Sequence, residues 1–207
     1  MPSIPRMTGE GRRAAILEAA VRLFSERGFR GTTTRELAKA VGVTEPVLYG
    51  HFKSKRDLYA AIIEAKSREG LARGVTLLEP LAHARDDRGL LVGIGELVLQ
   101  SYAQEQAYSR LLLSVSLEDP DLGRLFHERQ RPGINMLAGY IALRITEGAF
   151  RTVDPKLAAR AFLGMLSYHG MLGLLYRDDF VSGTAREIAE RMVDIFLEGI
   201  LKERSTK

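Results

Sequence analysis

The chain has 207 residues, 45% apolar and 27% charged, a balance that suits a globular protein with a sizeable core. It contains no cysteine and only four histidines, which excludes disulfides, thiolate metal centres and cysteine nucleophiles. Its formal charge of +4 is unevenly placed: residues 1–60 hold 11 Lys/Arg against 6 Asp/Glu, while the remainder is slightly acidic. A polyanion-binding module joined to a neutral body has this distribution, and so does a merely solvated basic face.

Met1-Pro-Ser-Ile-Pro-Arg lacks the apolar stretch of a secretory signal, and no window reaches the ~18 apolar residues of a membrane span, so a cytoplasmic chain without a membrane partner is expected. Helical periodicity then dominates, and no segment shows the sustained alternation of a strand. The expected class is all-α, with about nine helices. Ile16, Leu17, Ala20, Leu23 and Phe24 form the first apolar stripe, with Thr8 as N-cap and Gly28 as stop. Thr32-Thr33-Thr34 offers capping hydroxyls to a short helix from Arg35 to Val41, which Gly42 ends. Thr44 is expected to cap a third helix, from Glu45 to about Phe52, whose first turn tolerates Pro46. Ser54 is expected to cap a fourth, running from Lys55 to about Ala72 and carrying Leu58, Tyr59, Ile62 and Ile63 at core spacing.

Farther on, breaks are expected at Arg85-Asp86-Asp87, Glu118-Asp119-Pro120, Val153-Asp154-Pro155 and between Arg177 and Gly183. Five more helices fit between these marks. Leu157, Ala158, Ala161, Phe162, Met165, Leu166, His169 and Leu172 form one late stripe; Ile188, Ala189, Met192, Val193, Phe196, Leu197, Ile200 and Leu201 form the other. Such faces serve as core within one chain or as half of a four-helix bundle across a homodimer, here through helices about 155–177 and 184–203. The expected domains are a helix-turn-helix DNA-binding domain over residues 8–54 and a helical ligand-binding and dimerisation domain over residues 55–205, with helix 55–72 linking them.

The segment Thr34-Arg-Glu-Leu-Ala-Lys-Ala-Val-Gly-Val-Thr-Glu-Pro-Val-Leu-Tyr-Gly-His-Phe places two short helices across Gly42. Ala38 is small enough for a steep crossing, and Leu37, Val41, Val43 and Leu48 seal the joint. The second helix is then free to present Glu45, Pro46, Tyr49, Gly50 and Lys53 outward, at a size that fits the major groove.

Gly28-Phe29 followed by Thr32-Thr33-Thr34, Val-Gly-Val-Thr, Leu-Tyr-Gly-His-Phe and Lys-Ser-Lys-Arg-Asp-Leu resembles the DNA-binding domain of the TetR family over roughly residues 10–63. The resemblance implies a phosphate contact at Thr34, backbone contacts at Tyr49 and His51, and a phosphate contact at Lys55. It implies base reading by Glu45, Pro46, Tyr49 and Gly50, with Thr44 and Lys53 alongside and Arg12, Arg13 and Arg35 as further phosphate contacts. The same residues have plain alternatives: Thr34 and Thr44 as caps, Tyr49 as a surface aromatic, Lys55 as a solvated charge. Gly50 departs from the family pattern, which usually places a large polar or aromatic residue there. Beyond residue 64 the resemblance implies only architecture: a helical sensing domain that dimerises, binds a small-molecule inducer and releases double-stranded operator DNA.

Candidate residues for the sensing pocket are Tyr102, Phe126, Met136, Tyr140, Met165 and His169, all on stripes expected to face inward, where plain core is the leading alternative for each. No cofactor is expected. His127-Glu128 lacks a second histidine four residues on, and there is neither a nucleophile elbow nor a phosphate-binding glycine loop, so neither a metal site nor an enzyme is expected. An activator and a nonspecific architectural DNA binder remain the alternatives within DNA binding.

Overall fold

The computed structural model describes residues 8–177 and 181–200, and among these every regular element is a helix. In chain order they are α1 (Gly9–Arg27), α2 (Thr34–Val41), α3 (Glu45–His51), α4 (Lys55–His83), α5 (Asp87–Gln104), α6 (Gln106–Glu118), α7 (Pro120–Thr146), α8 (Pro155–Tyr176) and α9 (Ala185–Ile200). The helices form two compact units, and the division does not follow chain order. The first unit joins the chain up to Ser67 with Ala107–Arg129; the second joins Arg68–Gln106 with the rest.

In the first unit Ile16, Ala20, Leu23 and Phe24 of α1 pack with Leu37 and Ala38 of α2, Leu48 of α3, and Leu58, Tyr59, Ile62 and Ile63 of α4. Leu111 and Val115 of α6 and Leu122 of α7 close this core, which joins segments far apart in sequence. Thr8 caps α1 through the Gly11 amide, and Gly28 ends it with φ 76°, a value that favours glycine. Gly42 ends α2 in the left-handed region.

Tyr59 is wholly enclosed, its ring meeting Phe29 edge-on at 5.9 Å, and burial pushes its phenol up to about 12. Its hydroxyl has no hydrogen-bond partner. A buried hydroxyl left unpaired costs about 1–3 kcal/mol, so Tyr59→Phe is expected to stabilise the chain by about 1 kcal/mol. Urea denaturation checks this: the midpoint should rise with an unchanged slope, and a fall would contradict it.

In the second unit α5 packs against α8 and α9 around Leu91, Leu99, Phe162, Leu166, Val193 and Phe196. Gly95 permits the close approach, since a β-carbon there would stand 2.8 Å from that of Ala189. Asp86 and Asp154 cap α5 and α8 through the amides of Gly89 and Lys156. At the start of α5, Asp87 accepts two bonds from Arg144 at 2.8 Å and one from the Tyr140 hydroxyl at 2.6 Å, pinning α7 to α5.

Several expectations need correction. The fourth helix does not stop near Ala72 but continues to His83, through Gly70, Gly74 and Pro80. Local breakers are overridden there by packing: the Leu78 side chain fills the notch left by Gly93 of α5. A break at Glu105 separates α5 from α6 without turn residues to mark it. Met136, expected to face inward, is 54% exposed. The stripe on α8 divides: Ala158, Phe162 and Leu166 are buried, whereas Leu157 and Ala161 face outward. Leu201 and the end of the last expected helix, residues 201–203, lie outside the described residues, as does the remainder of the expected second domain to residue 205.

Candidate nucleic-acid interface

The interface begins with the cap of α2. Thr33 accepts from the Glu36 amide at 3.2 Å, and the Glu36 carboxylate accepts from the Thr33 amide at 2.8 Å, a reciprocal capping box. Those bonds, with Arg27 at 2.8 Å, hold the Glu36 carboxyl below its usual range. Thr32 is buried and donates to the carbonyls of Leu23 and Gly28, so the strand of chain entering α2 is fixed on both sides.

With the cap assigned to Thr33, the next residue is free for another role. The Thr34 hydroxyl donates to the Glu45 carboxylate at 3.1 Å and lies 3.2 Å from the Tyr49 hydroxyl. Thr34, Glu45 and Tyr49 therefore form one polar network across the α2–α3 pair. Thr44 stands at the N-cap position of α3, yet its side chain makes no capping bond, contrary to expectation. It is exposed, as are Arg35, Pro46, Tyr49, Gly50 and Lys53, while His51 is half-buried with its ring 6.4 Å from Phe52. Ala38 is buried between the helices with Leu37 and Leu48, and Val41 and Val43 pack against the same core. The joint is closed as its residue types imply, and α3 has one face free.

Lys55, where the resemblance implies a phosphate contact, is engaged with the chain's own backbone. Its ammonium donates to the carbonyls of Phe29 at 2.6 Å and Thr32 at 2.9 Å and lies 4.6 Å from the centre of the Phe29 ring. Burial pushes its pKa down, with the charge of Glu118 opposing that shift. Arg13 lies over Phe52 at 5.0 Å. Arg30 donates to the Glu118 carbonyl at 3.1 Å, and Arg56 pairs with Asp119 at 2.5 Å, tying the α6–α7 turn to the start of α4 and the α1–α2 loop. Of these supports, only the capping threonine hydroxyls were expected from the sequence; the Glu36 half of the box carries a local signature, Thr-x-x-Glu, that went unread there. Glu118 and Asp119 were marked only as a helix break, and their contacts with Arg30 and Arg56 had no local signal.

The six pocket candidates do not converge. Phe126 packs on the core of the first unit, Tyr140 belongs to the Asp87 cluster, and Met165 lies against the core of the second unit. The Tyr102 ring occupies the space over Gly170, beside half-buried His169. Among the described residues no group of histidines and carboxylates could hold a metal ion, and no helix is long and apolar enough to cross a membrane.

Comparison with known proteins finds family matches over both parts of the chain. Residues 16–62 match the family model described as bacterial regulatory proteins, tetR family, and residues 89–199 match the C-terminal domain of AefR-like transcriptional repressors. The uncharacterized HTH-type transcriptional regulator YvkB of Bacillus subtilis is 24% identical over 189 residues, covering 89% of this chain and 95% of that protein. A crystal structure of a transcriptional regulator from Saccharomonospora viridis in complex with choline superposes with a TM-score of 0.74 at 24% identity, covering 95% of this chain and all of that one. AibR in complex with isovaleryl coenzyme A and operator DNA gives 0.64 at 23% identity, covering 89% and 97%. At these identities the structural likeness is one of fold.

Proposed function

The chain belongs to the TetR family of DNA-binding transcriptional regulators, and from that membership we propose that it is a ligand-responsive repressor that binds a palindromic operator as a homodimer. The observation that carries this reading is the free face of α3 beside the Thr34–Glu45–Tyr49 network. In this arrangement α3 enters the major groove with Glu45, Pro46, Tyr49 and Gly50 toward base edges. Thr34, Thr44, His51, Lys53 and Arg35 flank the groove and meet phosphates, which sets register and affinity. Thr34 holds Glu45 and Tyr49 in place before DNA arrives, which lowers the ordering cost of binding.

The inducer acts by population shift. It favours a dimer whose two α3 helices no longer match successive major grooves, which lie about 34–36 Å apart. Of the pocket candidates, Tyr102 and His169 are the pair we would test first, since the Tyr102 ring lies over Gly170 and half-buried His169 is the residue next to it in the chain. Relatives in fold were crystallised with choline and with isovaleryl coenzyme A, which supports a small-molecule ligand without selecting its class.

The experiment is capture of sheared genomic DNA from the source organism by the purified full chain, followed by sequencing. A two-fold symmetric motif shared by the captured fragments is expected. Uniform capture, with a specificity ratio near one, would instead mark a nonspecific architectural binder.

A further inference from the structure

Gly50 lies in the last turn of α3, on the exposed side, between Tyr49 and His51. Nothing within the chain calls for glycine there. A β-carbon would have no atom within 4 Å, and Gly50 is absent from the glycines with positive φ. Gly28 and Gly42 of the same unit differ, because their φ values of 76° and 71° do favour glycine. Apart from proline, glycine is the residue that most weakens a helix, so its presence here disfavours the element that carries the reading face.

The surface at this point is bare. Tyr49 is turned to Thr34 by its hydroxyl, and exposed Pro46 lies one turn earlier on the same side of the helix. Gly50 itself offers only α-hydrogens. Of the groups that base pairs display in the major groove, the apolar one is the thymine methyl.

Resting on the operator-binding reading above, we propose that Gly50 is a specificity-determining position: its bare backbone lets α3 lie close to the groove floor with a thymine methyl against its α-carbon. A side chain there holds the helix away from that base pair. Specificity at this position comes from shape and a methyl group and needs no hydrogen bond.

The test starts by selecting the preferred duplex from a randomised pool with the purified chain. Binding of the wild type and of Gly50→Ala is then measured on that duplex and on versions with each thymine replaced by deoxyuridine, which removes only the methyl. For the wild type, deoxyuridine at one position of one half-site is expected to weaken binding about fourfold, and about fifteenfold when both half-sites are changed. Gly50→Ala is expected to melt at the same or a higher temperature, to bind the thymine duplex at least about tenfold more weakly, and to be indifferent to deoxyuridine. Gly50→Ser should behave as Gly50→Ala does. Neutral deoxyuridine at every position, or equal affinity and methyl sensitivity in Gly50→Ala, overturns the assignment of Gly50 while leaving operator binding intact. Failure of the wild type to enrich any sequence overturns both.

Discussion

The double variant Tyr168→Glu, Ile195→Glu is expected to run as a monomer and to bind operator DNA about 100-fold more weakly than the wild type. The reason lies in α8, which is apolar on two sides. One side, with Ala158, Ala159, Phe162 and Leu166, is buried in its own unit. The other carries Leu157, Ala161, Gly164 and Tyr168 at three- and four-residue steps, with Leu175 two turns farther on, all exposed. Leu157 and Tyr168 are 64% and 60% exposed, and Ile195 on α9 is 67% exposed. Single chains rarely leave apolar faces of this kind in water. In the proposed homodimer a second copy of α8 and α9 would cover them by completing a four-helix bundle, and Gly164, with nothing near its missing β-carbon, would admit close contact. Two glutamates in that seam bring unpaired charge into an apolar interface, which association cannot offset. DNA affinity falls because each half-site then binds alone. Sedimentation velocity with fluorescence anisotropy on one operator duplex reads both effects; a wild-type monomer, or a variant that stays dimeric, would contradict the bundle.

Lys55→Met is expected to lower stability by roughly 2–3 kcal/mol, because the side chain keeps its length but leaves the Phe29 and Thr32 carbonyls without their donor. For a chain of this size that is a fall of roughly 5–10 °C in melting temperature. The salt dependence of DNA binding separates this role from the phosphate contact that the family resemblance implied. If the ammonium stays on the carbonyls, the slope of log K against log salt is the same in wild type and variant. If Lys55 neutralises a phosphate in each half-site, the slope drops by about 0.9 per contact. Measuring well below the melting transition keeps the variant folded during the comparison. A variant as stable as the wild type with a reduced slope would return Lys55 to the phosphate.

The helix-turn-helix was legible because its instructions are local. Thr33 and Glu36 cap α2 within four residues, Gly28 and Gly42 end α1 and α2 by backbone geometry, and Ala38 is small where the helices cross. The rest depends on contacts made at a distance. Gly70, Gly74 and Pro80 suggest a helix end, yet α4 runs on to His83, and in its last turns the Leu78 side chain fills the notch at Gly93. Periodicity placed Leu157 with Phe162 on α8, but only the packed unit separates the face toward α5 from the face toward solvent. A lysine at the head of a helix suits a phosphate or a carbonyl equally well in sequence. In the structure the ammonium rests on the Phe29 and Thr32 carbonyls, which belong to a loop more than twenty residues away.

Hydroxyl-radical footprinting of the full chain on its selected operator, with the mass of the complex measured on the same sample, tests operator recognition by paired α3 helices most directly. Two chains per duplex are expected, with two protected backbone clusters related by two-fold symmetry and centred about 34–36 Å apart. One chain per duplex, or protection spread evenly along the DNA, would contradict it.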